Sequence, residues 1–138
     1  MTTTAATNTR VAMARSIFTG ALPVGIVPGE GAKRRLLELL PAIDVRDALI
    51  MEVNERSADD VIDVCHNLLV FTIREGQPDA TMLSLLSVLA FAYWQKEDWN
   101  AMKSVLRRSA KIDPTYNLTA LLVEVHKYRV SADWREFL

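Results

Sequence analysis

Apolar residues recur every three or four positions along most of the chain, which is the spacing of an amphipathic helix. The pattern first appears at Val11, and from Lys33 to Tyr128 it returns after each break. Between Leu83 and Trp94 the chain is apolar nearly all round, which is typical of a helix in the middle of a bundle. No segment shows the sustained alternation of a half-buried strand. The pattern therefore predicts an all-α bundle of about six or seven helices.

Helix boundaries are predicted from capping residues, glycine and proline. Ser57 begins a sequence that resembles a capping box, and Gly76 follows the basic end of the same helix. Asp98 is expected to cap a later helix, and Asp113 to cap the next one, with Pro114 in its first turn. These signals predict helices that are short and closely connected.

The chain is expected to form one domain over residues 1–138, because two domains would each fall near the lower size limit. Residues 1–9 are polar and rich in threonine, and they are interpreted as an N-terminal tail. Residues 23–31 form a loop rich in glycine and proline, which oppose regular structure. A short strand has room only at residues 24–27.

The charge balance disfavours nucleic-acid binding as the main activity. The chain has 16 Lys and Arg against 17 Asp and Glu, a formal charge of −1, whereas nucleic-acid binders carry a basic excess. Cys65 is the only cysteine, so no internal disulfide forms. No apolar stretch reaches the roughly 20 residues that span a bilayer, and the N-terminus does not resemble a signal peptide. A cytoplasmic protein is predicted.

Three parts of the chain contain residue types that occur in chemical sites, and each has a simpler structural interpretation. Cys65 and His66 are adjacent and point about 100° apart on a helix, so they do not form one site, and Cys65 is expected to be buried. Residues 25–33 lack the spacing of a phosphate-binding loop. Carboxylates at the predicted start of the Ser57 helix are favoured there by the helix dipole. We therefore predict no catalytic residue, no metal site and no cofactor.

Other polar and aromatic residues are candidates for contacts. Arg46 and Asp47 interrupt an apolar helix, and they are expected to form a polar tie between helices, each pairing with a group elsewhere. The alternative is that they contact a ligand. Two basic clusters are interpreted as solvated helix faces or as partner-binding surfaces. They comprise Lys33, Arg34 and Arg35, and separately Arg107, Arg108 and Lys111.

Residues 88–114 resemble one tetratricopeptide unit, a helix–turn–helix of about 34 residues that normally occurs in arrays. Large residues and proline fall on the expected positions at Leu89, Tyr93, Trp99, Leu106 and Pro114. Met102 and Ser109 depart from it, because they replace small alanines where the helices approach closely. Only one unit is visible, so the resemblance implies a tetratricopeptide-like hairpin near the C-terminus, not a repeat array.

The same resemblance suggests a contact surface. In such repeats the position of Trp94 lines the concave, ligand-facing side, and exposed tryptophan is a common interface anchor. Trp94 and Phe91 are therefore predicted to contact a partner, together with Arg107 and Arg108.

A second resemblance covers about residues 32–135. Residues 45–49 (VRDAL), residues 113–118 (DPTYNL) and residues 133–135 (DWR) occur in that order, with the apolar helix before Trp94 between the first two. This resembles the C-terminal half of the uncharacterised family of actinobacteria and their phages known as domain of unknown function 4192. The resemblance implies an actinobacterial or phage origin, and no activity, substrate or cofactor.

These observations together predict a non-enzymatic protein–protein interaction or assembly module with a protein partner or a second copy as its ligand. If the source is a phage, a regulator of a host protein or a counter-defence factor is the expected role. A symmetric homodimer is expected to use Val11, Ile17 and Phe18, or Trp134 and Phe137 at the other end, unless these residues complete the core of their own chain. The alternative is a nucleic-acid-associated protein that uses its basic helix faces.

Overall fold

The computed structural model describes the backbone of residues 2–133 and the side chains of residues 9–133. Within that part of the chain all regular structure is helical and no strand occurs, which confirms the predicted all-α fold. The seven α-helices are α1 (Thr2–Ala21), α2 (Glu30–Leu39), α3 (Ile43–Ile50), α4 (Ala58–Glu75), α5 (Asp79–Gln95), α6 (Trp99–Ile112) and α7 (Asn117–Lys127).

Helix α5 lies at the centre of the bundle. It contacts α3, α4, α6 and α7, and it buries apolar side chains around nearly its whole circumference. Leu85, Val88 and Ala92 have no exposed surface, and the side chains of Ser84 and Ser87 are buried between them. Ser87 satisfies its hydroxyl by donating to the Leu83 carbonyl oxygen at 2.8 Å. The prediction that an all-round apolar helix occupies the middle of the bundle is therefore confirmed.

The first three helices pack on one side of this centre. Helix α1 contacts α2 and α3, and its residues Ala14 and Phe18 are fully buried. The Arg10 guanidinium donates to both carboxylate oxygens of Asp44 in α3, at 3.0 and 3.1 Å. Phe18, which was predicted as a dimer contact, therefore completes the core of its own chain.

Two predicted helix ends are confirmed and one predicted cap is wrong. Gly76 ends α4 with φ at 63°, and Asp98 caps α6 by accepting from the Ala101 backbone N–H at 3.2 Å. The Ser57 hydroxyl makes no capping bond to α4. It donates instead to the Glu52 carbonyl oxygen at 2.7 Å, because the turn that precedes α4 folds back on itself.

The starts of two helices differ from the sequence predictions. Helix α7 begins at Asn117, not at Pro114, because the Asp113 carboxylate accepts from the backbone N–H and the hydroxyl of Thr115 and closes a turn there. These two bonds lower the pKa of Asp113. Helix α2 begins at Glu30, and residues 22–29 form turns and bends with no strand.

At the N-terminus the helical backbone of α1 reaches back to Thr2. It therefore includes most of the segment that the sequence pattern assigns to a polar tail, residues 1–9.

Candidate functional site

The predicted aromatic contact surface is buried, which corrects that prediction. Trp94 is 1% exposed and Phe91 is 5% exposed, with their ring centroids 5.5 Å apart. The Trp94 indole N–H donates to the carbonyl oxygen of Val130 at 2.9 Å. The segment that follows α7 thus packs over Trp94 on α5.

Arg46 links α3 to the connection between α6 and α7. Its guanidinium donates to the Tyr116 hydroxyl at 2.7 Å and lies over the Tyr116 ring, 5.6 Å from the centroid. Its side chain is 12% exposed. Burial lowers the pKa of Arg46, but the hydrogen bonds that Arg46 donates to Tyr116 and Asp47 raise it by more, so the pKa lies above its ordinary value. Arg46 is therefore held as a cation in a structural contact.

Asp47 does not take part in the tie in the way that was predicted. Its carboxylate accepts from Arg46, with distances of 2.8 and 2.9 Å to two guanidinium nitrogens, and its side chain is 55% exposed. The expectation that the adjacent residues pair with separate groups is wrong for Asp47. The Arg46 side chain is long enough to bend back to its neighbour, although adjacent Cβ atoms point apart.

The exposed face of α6 carries a concentration of positive charge. Its exposed cations are Lys103, Arg107, Arg108 and Lys111, and its 14 residues contain no Asp or Glu. None of the four is in an ion pair among the described residues, although six other cationic side chains are. The opposite face is apolar and packs on α5 and α7 through Met102, Val105 and Leu106. The fold therefore fixes this cationic face, here called the α6 face, toward solvent.

The other predicted basic cluster is neutralised within the chain. Arg34 contacts Glu75 at 2.6 Å and Glu30 at 3.5 Å, and Arg35 contacts Glu38 at 3.6 Å. The ammonium group of Lys33 lies 5.4 Å from the centroid of the Phe71 ring. This cluster joins α2 to α4 and offers little free charge to a partner.

Two acidic residues, one at the start of α4 and one before it, form ion pairs. Asp59 forms an ion pair with Lys96, which follows α5 and stands just before α6, and Glu52 pairs with Arg15 at 3.3 Å. Among residues 9–133, whose side chains the structure describes, no group of three or more carboxylate, imidazole or thiol side chains is arranged to hold a metal ion.

The charge of α6 differs in sign from that of the rest of the chain. Because α6 contributes +4 and the whole chain carries −1, the other residues together carry −5.

The reactive side chains are placed in structural contacts. Cys65 is fully buried in the core, and burial raises the pKa of its thiol to about 12. His66 is bonded to the Tyr93 hydroxyl at 3.0 Å, and His126 to the Trp99 carbonyl oxygen at 2.9 Å. Cys65 is thus held as a neutral thiol away from solvent, as its position in an apolar stripe predicts.

A groove of about 870 Å³ lies between α3, the α3–α4 loop, α5 and α7, with Ala132 at one edge. Met51 and Leu121 line it and are 76% and 46% exposed. Its charged residues are of both signs, and Arg46 and Asp47 bond to each other. The groove therefore lacks the single sign of charge that distinguishes the α6 face.

Sequence reasoning found three of the four cations of the α6 face, Arg107, Arg108 and Lys111, and missed the fourth. Arg107 and Arg108 were predicted to bind a partner, and both are exposed. Lys103 was missed, although it stands four residues before Arg107 and therefore shares its side of the helix. The signal was the absence of any acidic residue from 99 to 112.

Comparisons with protein-family models, with curated proteins and with solved structures give no match to this chain. The two resemblances drawn from the sequence therefore stay predictions. No helix of the described residues is long and apolar enough to cross a membrane. The terminal aromatics Trp134 and Phe137, predicted as a dimer contact, lie outside the described residues.

Proposed function

We propose that this chain is a non-enzymatic protein-interaction module that binds another protein through the α6 face. The observation that supports the proposal is the set of four exposed cations on one helix, with no acidic residue on that helix and no described ion pair. Unneutralised charge of one sign on a rigid element is a surface that attracts and orients an oppositely charged partner.

The arrangement costs the free chain stability, which supports a role in binding. Lys103, Arg107 and Lys111 follow one another at four-residue spacing, and Arg108 stands three residues before Lys111. Like charges at these spacings destabilise a helix by about 0.2–0.5 kcal/mol per pair, and the dipole of α6 offsets part of this cost at Lys111 in its last turn. Carboxylates of a partner would relieve this repulsion, whereas an ordinary solvated helix face intersperses both signs.

A protein partner fits the surroundings of the α6 face better than a nucleic acid does. The helix is about 21 Å long at 1.5 Å per residue, and the rest of the chain carries −5. A long polyanion that extended beyond α6 would meet the rest of the chain, whose net charge is negative. A short acidic protein segment avoids that repulsion.

Comparative affinity capture from cells of the natural source tests the proposal. The wild-type chain is compared with the double variant Arg107→Glu/Arg108→Glu, after nuclease treatment. The matched control is Arg56→Glu/Arg74→Glu, which changes the net charge equally at exposed residues outside the α6 face. We expect a partner protein to be retained by the wild type and the control, and to be lost from the α6 variant.

Two outcomes would contradict the proposal. Equal recovery of every captured protein with the wild type and the α6 variant would show that the face is not an interface. Capture of nucleic acid in the untreated sample, abolished by the α6 substitutions and with no captured protein affected, would favour nucleic-acid association, which the same four cations also support.

The source and the site of action are further parts of the proposal. The resemblance to the actinobacterial and phage family supports a cytoplasmic protein that acts inside an actinobacterial cell. For a phage protein, the partner would be a host protein. Detection of the wild-type chain and its captured partner in the cytosolic fraction of such cells checks this part.

A further inference from the structure

The spacing of cations on the α6 face defines the chemistry of the segment that it binds; this inference rests on the proposed function. We infer that the face takes an acidic helical segment whose carboxylates recur every four residues. The inference concerns only the charge pattern of the partner. It can be refuted while the proposal that the α6 face binds a protein still stands.

The geometry follows from the regular rise of the helix. Lys103, Arg107 and Lys111 are successive members of one four-residue row, so their Cα atoms advance by about 6 Å at each step and about 12 Å in total. A partner helix with carboxylates at positions i, i+4 and i+8 repeats the same advance. The three carboxylates face the three cations when the two helices cross at about −50°, the angle at which the four-residue rows of facing helices align.

The two arginines give the face its strongest contacts. Arg107 and Arg108 are adjacent and both exposed, and each guanidinium presents a planar fork of donors that matches a carboxylate bidentately. Lys103 and Lys111 flank them as point charges. We therefore expect the central carboxylate of the partner to depend most on the arginines.

The inferred partner is short as well as acidic. The cationic row covers about 12 Å, and charges separated by more than about 8–10 Å are largely screened at physiological salt. Near the start of α6, Lys96 is paired with Asp59, and Arg129 lies over the Trp99 ring and donates to the His126 carbonyl oxygen. These two cations are engaged within the chain, so the row of three defines the length of the segment that the face takes.

Fluorescence anisotropy with synthetic peptides tests the inference directly. The probe is a labelled helical peptide with glutamates at three positions four residues apart. The comparison peptide has the same composition with its glutamates on different sides of the helix. At low ionic strength we expect the matched peptide to bind about tenfold more tightly than the comparison peptide.

The protein variants and a salt series provide the controls. Arg107→Glu/Arg108→Glu is expected to weaken binding of the matched peptide by at least about tenfold, while Arg56→Glu/Arg74→Glu stays within about twofold of wild type. Raising the salt concentration is expected to weaken binding. Circular dichroism and thermal unfolding of each variant establish that the fold is unchanged.

The results that would overturn the inference are specific. Equal binding of the two peptides would refute the four-residue spacing. No binding of either peptide, or tighter binding of a single-stranded oligonucleotide than of the matched peptide, would refute the carboxylate partner. If such a result came with a captured protein that is still lost from the α6 variant, the proposed function would stand and only this inference would fail.

Discussion

Replacing Trp94 by phenylalanine removes two interactions at the centre of the bundle. The indole is 1% exposed, and its N–H donates to the Val130 carbonyl oxygen at 2.9 Å. Phenylalanine keeps one aromatic ring against Phe91 but has no donor, and it fills less of the space between α5 and the segment after α7. The substitution therefore measures how firmly that segment is held.

The expected loss of stability is the sum of a hydrogen-bond contribution and a packing contribution. A neutral hydrogen bond contributes about 1 kcal/mol, and the carbonyl of half-buried Val130 regains part of this from water. The smaller ring leaves roughly 40 Å³ unfilled, which costs about 1 kcal/mol at about 24 cal/mol per Å³. We expect Trp94→Phe to lower the free energy of unfolding by about 2 kcal/mol.

Urea denaturation followed by circular dichroism measures this change. Tyr128→Phe is the matched control, because Tyr128 is 67% exposed and its substitution is expected to change the free energy by less than about 0.5 kcal/mol. If Trp94→Phe cost no more than this control, Trp94 would be a surface residue and the burial described above would be wrong.

Three further predictions concern contacts elsewhere in the bundle. A double-mutant cycle of Arg46→Met and Tyr116→Phe, measured by urea denaturation, is expected to give a coupling free energy of about 1 kcal/mol. The reason is the 2.7 Å hydrogen bond between the Arg46 guanidinium in α3 and the Tyr116 hydroxyl before α7. A coupling near zero would refute this contact. Burial raises the pKa of the Cys65 thiol from 9.0 to about 12. The contribution of this neutral thiol to the free energy of unfolding is therefore complete below pH 9, and it declines by about 1.4 kcal/mol per pH unit as the pH rises toward 12. The difference in unfolding free energy between wild type and Cys65→Ala is therefore expected to fall over that range, and a constant difference would refute the burial. Gly76→Ala is expected to lower the free energy of unfolding by about 1 kcal/mol, because φ is 63° at this position. Gly31→Ala inside α2 is expected to raise it by about 0.5–1 kcal/mol, since no atom lies near the added Cβ. Thermal unfolding compares the two variants, and equal effects would contradict the backbone conformations described for the two glycines.

The sequence was sufficient for the architecture because each helix carries its own periodic pattern. The central place of α5 was predicted from its apolar residues alone, since a helix without a polar side has to be covered on all sides. The ends at Gly76 and Asp98 were predicted from local backbone chemistry, and both were confirmed.

Ser57 and Asp113 show where local signals fail. Both are good helix caps by residue type, but each side chain bonds to a nearby turn instead of to the predicted helix. Serine and aspartate form such turns with similar energies, so residue type alone does not decide between a cap and a turn.

The candidate site was predictable only in part, because exposure depends on long-range packing. The sequence resemblance predicted an exposed, ligand-facing position for Trp94, yet its indole N–H donates to the carbonyl oxygen of Val130, 36 residues later. Arg46 is likewise bound by Tyr116, 70 residues away. The α6 face was accessible to sequence reasoning because a helix without acidic residues leaves its cations no local partner.

Site-specific photo-cross-linking on the α6 face tests the central claim most directly. Ser104 is exposed between the cations of the face, and Val70 on α4 is 59% exposed elsewhere, so a photoreactive amino acid is placed at each position in turn. After irradiation of cells of the natural source, we expect a discrete protein adduct from position 104 and none from position 70. Equal adducts from both positions, or an adduct from position 104 that nuclease removes, would contradict the account.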